Sequence, residues 1–324
     1  MSIGEDSVGF YLELRVLEVT VKSFLVCNQA ETAELLDFSL LVDAIEQAAH
    51  DYANDRICSP ERMVVPMPSG GVMLSMPATS ADIATHKLVN VQPANHALNI
   101  PTIHGQVSVY DAETGRPLFL LDGPEVTGRR TAAVSMLVIR TFLTAQPDEI
   151  LIIGTGTQAT YHLHAIHSLF PRTKVWMRGV NAADSQSFCD RNRSTHAELY
   201  PAGSGTSLDN VHVVITVTTS TVAVYDEQAI AGKLIIGVGA FKPEMAEIGR
   251  TTLFGSDIYV DDPLGVRHEA GDLIQAGIDW EKTRSLAQAL TQKPDLGRPI
   301  VFKSVGTAAW DLAACRVARA KLGF

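Results

Sequence analysis

One stretch, EILIIGTGTQA at residues 149–159, restricts the fold more than any other part of the chain. Its opening EILIIG is a short apolar run of the kind buried on both faces of a parallel sheet. Gly154-Thr155-Gly156-Thr157-Gln158-Ala159 follows at once and leads into the helical pattern QATYHLHAIHSLF. A GxGxxA sequence is weak alone, but between a buried strand and a helix it has the context that dinucleotide binding demands. There Gly154 permits the tight turn, Gly156 lets the backbone approach a pyrophosphate at the helix N-terminus, and Ala159 allows close helix–strand packing. The simpler reading, an ordinary strand–turn–helix corner, competes poorly with what comes next. KVWMRG (174–179), VHVVITVT (211–218), KLIIGVGA (233–240) and DIYVDD (257–262) alternate with helical segments. That alternation is the signature of an α/β Rossmann domain, a doubly wound parallel sheet.

The first part of the chain follows a different pattern. Residues 38–54 place Leu40, Leu41, Ala44, Ile45, Ala48 and Ala49 at helical spacing. Between Met63 and Leu121 the segments MVVPM, VMLSMP, HKLVNV, HGQVSVYD and RPLFLLD are short, apolar and punctuated by Gly and Pro, which predicts antiparallel strands and hairpins. TAAVSMLVIRTFL (131–143) reads as a buried, Ala-rich helix, and residues 306–323 as an amphipathic C-terminal helix. The expected organisation is a nucleotide-binding Rossmann unit at 144–300 inserted into an α+β unit formed by 1–143 and 301–324.

Composition removes several function classes. Lys+Arg is 26 against 36 Asp+Glu, a net charge of −10, which disfavours a nucleic-acid partner but leaves room for a local basic pocket. Cys27, Cys58, Cys189 and Cys315 are scattered, with no CxxC spacing, so neither a disulfide framework nor a structural metal is expected. The first residues, broken by Glu5, Asp6, Glu13, Arg15 and Glu18, do not read as a signal peptide. No apolar run approaches the roughly 18 residues that span a bilayer. A cytoplasmic protein with no membrane partner is expected. His162, His164 and His167 lack an HExxH pattern or an added carboxylate, and read as polar residues of a packed helix rather than metal ligands. Ser75 lacks a GxSxG elbow, and no GxxxxGK[ST] loop occurs. Arg316, Arg319 and Lys321 are expected on a solvated face.

The end of the second Rossmann strand bears on the cofactor. NAD enzymes usually place an acid there, about 20 residues after the glycines, to bind the ribose hydroxyls. Here the sequence is Trp176-Met177-Arg178-Gly179, and Asp184 falls later, on the next helix. Arg178 can pair with a 2′-phosphate through its planar fork, which favours NADPH over NADH. In the first unit, Arg62, Lys87 and Arg130 sit in apolar or small-residue settings. Three cations meeting at one cavity would suit a substrate carboxylate; three unrelated surface charges are the alternative.

A resemblance bears on that choice. PERMVV, MLSMPA, HKLVNVQPANHALNIPT, YDAETGRPLFLLDG, RTAA at 130–133, IIGTGTQA, GVGAFKPEMAEI, AGDL at 270–273 and FKSVGTAAWDLAA occur in the order of the ornithine cyclodeaminase/μ-crystallin family. From about residue 38 to the C-terminus the chain resembles that family. The resemblance implies a homodimer whose first domains pair their sheets, with a substrate-binding and dimerisation domain facing the Rossmann domain. It implies that Arg62, Lys87 and Arg130 hold the substrate carboxylate and that Thr102 lines the pocket. His104 is expected nearby; Lys87 or His104 is expected to handle the proton. Arg130 and Thr131 match positions near the cofactor phosphates, while Ser304, Val305 and Gly306 match a segment near the nicotinamide. Thr157, Gln158, Thr216, Thr218 and Val238 complete the candidate cofactor-binding set, and Ser304 and Gly306 the substrate set. Where cyclodeaminases carry an Asp after the fifth Rossmann strand, this chain has Ala240, and Gly239-Ala240-Phe241-Lys242-Pro243 is similar to the ketimine-reductase branch. The expected activity is NADPH-dependent reduction of a cyclic ketimine, Δ1-pyrroline-2-carboxylate or Δ1-piperideine-2-carboxylate, to proline or pipecolate. Ornithine cyclodeamination, an alanine dehydrogenase-like reaction and a crystallin-like NADPH-dependent ligand-binding role are the alternatives.

Overall fold

A computed structural model describes residues 23–324 apart from 204, 293 and 296. The reading of the first residues as other than a signal peptide lies outside the described part. Strand β1 (Leu25–Val26) and helices α1 (Gln29–Leu35) and α2 (Phe38–Ala53) lead into a run of strands: β2 (Met63–Pro66), β3 (Val72–Thr79), β4 (Ile83–Val91), β5 (Ile103–Asp111) and β6 (Pro117–Asp122). They form a six-stranded sheet in the order β1-β6-β5-β4-β3-β2, antiparallel except for the β1–β6 pair. The alternation of the strands sends every second side chain inward. Thus Ile83, Lys87 and Val89 of β4 are buried, as are Val107 and Val109 of β5.

Helix α3 (Gly123–Phe142) crosses from this sheet to the second layer. It begins eight residues before the expected start at 131, because Asp122 caps it by accepting from the Glu125 amide at 2.8 Å and Pro124 occupies its first turn. The chain then alternates: β7 (Glu149–Ile153), α4 (Thr157–Leu169), β8 (Lys174–Arg178), α5 (Ala182–Asn192), β9 (Leu199–Pro201), β10 (Val213–Thr216) and β11 (Leu234–Gly237). After these come α6 (Arg250–Gly255), β12 (Asp257–Val260), α7 (Val266–Glu269), α8 (Gly271–Ala276), β13 (Arg284–Ser285), α9 (Leu286–Thr291), β14 (Ile300–Lys303) and α10 (Ala308–Leu322). The eight strands form one parallel sheet, ordered β13-β12-β14-β11-β10-β7-β8-β9. Its β9-β8-β7-β10-β11 portion has the doubly wound order, with the reversal between β7 and β10. The expected return to the first unit at residue 301 falls within β14, which pairs along its whole length with β11 and β12.

One core joins the layers. Ile150, Ile152, Val213, Ile215, Ile236 and Phe302 point toward α3 and join the inner face of the first sheet, whereas Leu151, Ile153, Val214, Ile235 and Val301 face the opposite side. The expected amphipathic character of the last helix is corrected. Of its residues Ala308–Cys315 all are buried, because α10 packs against both α2 and the inner face of β3 and β4. Arg316 is correspondingly not a solvated charge: it donates to Asp51 at 2.9 Å and to Asp82 at 2.8 Å.

Candidate active site

The cofactor-side residues lie at the carboxyl ends of the parallel strands, where ligands of open α/β sheets bind. Gly154 follows β7 with φ +119°, and its amide donates to the Arg178 carbonyl at 2.8 Å. A Cβ there would stand 2.7 Å from the Val217 carbonyl oxygen, so only glycine allows β7 and the β10 loop to approach this closely. Gly156 caps α4 without a side-chain hydrogen bond, and a Cβ built on it would meet nothing within 4 Å. The first-turn amides of α4, which include those of Thr157 and Gln158, therefore face open space with the positive end of the helix dipole behind them. Ala159 is fully buried against the sheet. Two buried oxygens nearby, Gln158 Oε1 and Thr216 Oγ1, have no hydrogen-bond partner among the described residues. An uncapped helix start, an empty glycine cradle and unsatisfied polar atoms fit a dinucleotide pyrophosphate and ribose.

Arg178 is the last residue of β8, and its side chain makes no hydrogen bond or ion pair among the described residues. Asp184 lies on α5 as expected, within the first turn capped by Asn181. Thr216 ends β10, while the Thr218 amide and hydroxyl both donate to Glu247 Oε1. Val238 directly follows β11, and Thr131 is buried in α3 beside Arg130.

Across this edge the three cations meet. Lys87, 3% exposed on the inner face of β4, approaches Asp311 Oδ2 of α10 to 2.7 Å. Arg130 of α3 donates through Nε to Asp311 Oδ1 at 3.1 Å. Arg62, just before β2, donates through Nη2 to the Val305 and Gly306 carbonyls at 3.0 and 2.8 Å. Gly306, with φ +80°, lies directly against Arg130: a Cβ there would stand 2.7 Å from Nη1. Asp261, after β12, fixes the intervening segment by accepting from Ser304 Oγ at 2.7 Å and from the Val305 and Gly306 amides at 3.1 and 2.9 Å. Burial pulls the Lys87 ammonium down to about 8, against the attraction of Asp311. Arg62 also pairs with Glu269 at 2.8 Å, whose carboxyl burial lifts to about 7.

Two expected members make no hydrogen bond or ion pair with these cations. His104 pairs across β4–β5 with Asn90, three residues from Lys87, so strand alternation turns it to the other face of the sheet. It is exposed there and does not join the clamp. Thr102 lies in the turn before β5, where its carbonyl accepts from the Gln92 amide at 2.7 Å, and it takes no part in the hydrogen bonds of the cation cluster. Conversely, the sequence reading assigns no role to Asp311, Asp261 or Glu269. The signal for Asp311 was present in AAWDLAA, a lone acid among small and apolar residues of one helix.

The fold and this site define a Rossmann-containing α/β protein with a cationic clamp facing the dinucleotide edge. The chain belongs to the ornithine cyclodeaminase/mu-crystallin family, whose model matches residues 21–323. It is 51% identical over 294 residues to a Delta(1)-pyrroline-2-carboxylate/Delta(1)-piperideine-2-carboxylate reductase of Azospirillum brasilense, covering 91% of this chain and 94% of that one. Identity is 50% to a Delta(1)-pyrroline-2-carboxylate reductase of Burkholderia ambifaria, covering 90% and 94% of the two chains. Among solved structures, the Thermococcus litoralis Delta(1)-pyrroline-2-carboxylate reductase with NADH and L-proline superposes with a TM-score of 0.81, over 93% of this chain and 98% of that one. Its 23% identity bears on fold alone.

Proposed function

We propose that the protein reduces the C=N bond of a cyclic α-imino acid, Δ1-pyrroline-2-carboxylate or Δ1-piperideine-2-carboxylate, with NADPH. The observation that carries this reading is the convergence of Arg62, Lys87 and Arg130 around Gly306 at the dinucleotide edge; the 51% identity to the Azospirillum reductase supports the ring chemistry. Gly154, Gly156 and the first turn of α4 would hold the pyrophosphate, and Arg178 the 2′-phosphate. The bound nicotinamide supplies the hydride.

The protein's own groups do the rest. A carboxylate gripped by Arg62, Lys87 and Arg130 fixes the α-carbon bonded to it, which is the atom that must accept hydride. Asp311 holds Lys87 and Arg130 in place, and Asp261 holds the Ser304–Gly306 segment beside them. At neutral pH Lys87 is an ammonium that can steady or supply the proton for the imine nitrogen. Ala240, fully buried, donates its amide to Glu247 at 3.1 Å, and its methyl side chain has no ionisable proton. That weighs against the cyclodeaminase reaction at the position where the family places an Asp.

In this reading residues 1–143 and 301–324 bind substrate and pair two protomers, and 144–300 carry the cofactor. The exposed Met63 and Val65 on the outer face of the first sheet support a homodimer. Four free cysteines support a reducing, cytoplasmic setting, and no helix among the described residues is long and apolar enough to cross a membrane. The test is NADPH oxidation with pyrroline-, piperideine- and thiazoline-carboxylates, with NADH as control. Turnover of at least one of the first two is expected. No turnover, with ammonia released from ornithine, overturns the reading. Arg178→Ala is expected to raise the KM for NADPH roughly tenfold, the loss of one charge-assisted contact, and to leave that for NADH unchanged.

A further inference from the structure

Asp311 secures two of the three clamp cations, but Arg62 is secured by Glu269. The Arg62 Nε lies 2.8 Å from Glu269 Oε1 in an ion pair, while Nη2 donates to the Val305 and Gly306 carbonyls. Among the described residues Nη1 forms neither kind of contact. Glu269 closes α7 and forms part of the wall of a cavity of about 310 Å³ that also takes in Arg62, Gly306 and Met76. Its surroundings are mixed. Arg62 attracts its charge; Asp261 and Asp262 from the loop after β12, and Glu61 beside Arg62, oppose it. His268 lines the same cavity. Burial is the largest influence.

A carboxylate arriving at Arg62 adds a fourth anion to the three acids already facing Glu269. Glu269 is poised to respond, since its carboxyl titrates at about 7 before any ligand arrives. We propose that Glu269 is the positioning residue for Arg62: it keeps the guanidinium docked on the Val305–Gly306 carbonyls, and an arriving substrate carboxylate drives a solvent proton onto it. An O–H bond forms on Glu269 as the proton leaves hydronium or a buffer acid. The inference rests on the reading that the clamp binds an imino-acid carboxylate, but not on catalysis.

The test uses the enzyme saturated with NADPH and pyrrole-2-carboxylate, a planar anion that cannot be reduced. Calorimetry at pH 7 in buffers of unequal ionisation enthalpy is expected to show uptake of part of a proton, at a pH where Lys87 is already mostly charged. Glu269→Gln should bind without that uptake, and Glu269→Asp should restore it. Over pH 6 to 8 the ratio of wild-type to Glu269→Gln Kd should rise about fivefold, the linkage result for a one-unit pKa increase on binding; titration of Lys87 cancels in this ratio. Zero uptake in the wild type, or equal uptake in Glu269→Gln, overturns the proposal. Should Glu269→Gln not fold, the infrared band of a protonated carboxyl in the wild type decides: growth on binding supports the proposal, and no growth overturns it. Proton uptake without turnover of any ketimine would sink the proposed reaction and leave this inference standing.

Discussion

Asp311 lies between Lys87 and Arg130, and all three are at most 6% exposed. Removing a buried counter-charge costs more than the pair contributes, because the orphaned cations keep their desolvation penalty. Asp311→Ala is therefore expected to destabilise the protein by about 3–5 kcal/mol, read by denaturant unfolding, and to loosen the grip on substrate. Lys87 is charged below about 8, so affinity for an anionic substrate is full at lower pH and falls as pH rises through that value; KM against pH in the Glu269→Gln background measures it. His162 has the opposite consequence for stability. Fully buried, its Nδ1 donates to the Gln158 carbonyl and its Nε2 accepts from the Ser135 hydroxyl, and burial lowers its pKa from 6.5 to about 4. The unfolded chain takes up that proton below 6.5 and the native one does not, so stability is lost as pH falls from 6.5 toward 4, by about 1.4 kcal/mol per unit. His162→Gln should flatten that part of the melting-temperature profile. At this scale Arg62, Lys87 and Arg130 stood out as cations in apolar or small-residue settings, but only the family resemblance grouped them, since separation in the chain says nothing of convergence. Asp311 and Glu269 did not stand out, since an acid on a helix looks the same whether it meets water or a cation brought from elsewhere in the chain. His104 shows the converse error: nearness in sequence to a pocket segment says nothing of which face of a strand a side chain takes.

Among the elements, α3 and α4 come into close contact at Gly128. A Cβ there would lie 2.1 Å from the ring of Tyr161, and the ring cannot swing away freely because its hydroxyl donates to Glu125 at 2.7 Å. Gly128→Ala should cost about 1–3 kcal/mol by overpacking, and a Tyr161→Leu background should recover much of it; a double-mutant cycle of unfolding free energies tests both. The parallel strands were readable because burial on both faces makes them continuous apolar runs, as in EILII and VVIT. The first half of α3, GPEVTGRR, was not, for it lacks apolar periodicity and is helical because Asp122 caps it and both layers enclose it. The same enclosure explains α10: its alanines read as one apolar face of an exposed helix, whereas the helix is covered on several sides.

For the molecule as a whole, the two sheets share one core through α3, so neither layer is a complete unit. The outer face of the first sheet remains open, with Met63 and Val65 exposed. If it pairs with a second copy, Met63→Lys with Val65→Lys is expected to shift the protein from dimer to monomer in sedimentation; an unchanged mass would sink the homodimer. The division into two patterns, apolar alternation and then strand–helix alternation, could be read from sequence because period is local. How α3 and α10 close over the first sheet could not, because it depends on contacts such as the one between Arg130 and Asp311, 181 residues apart. That separation also sets an order of events during synthesis. At about 5–20 residues per second, Arg130 waits roughly ten to forty seconds for its counter-charge to be made. Until then Arg130 and Lys87 stay cheapest in water, and the first sheet has no α10 to cover it. The parallel sheet cannot run ahead of it, since β14, which pairs with both β11 and β12, is made only just before α10; both halves stay open together, and the site between them closes last.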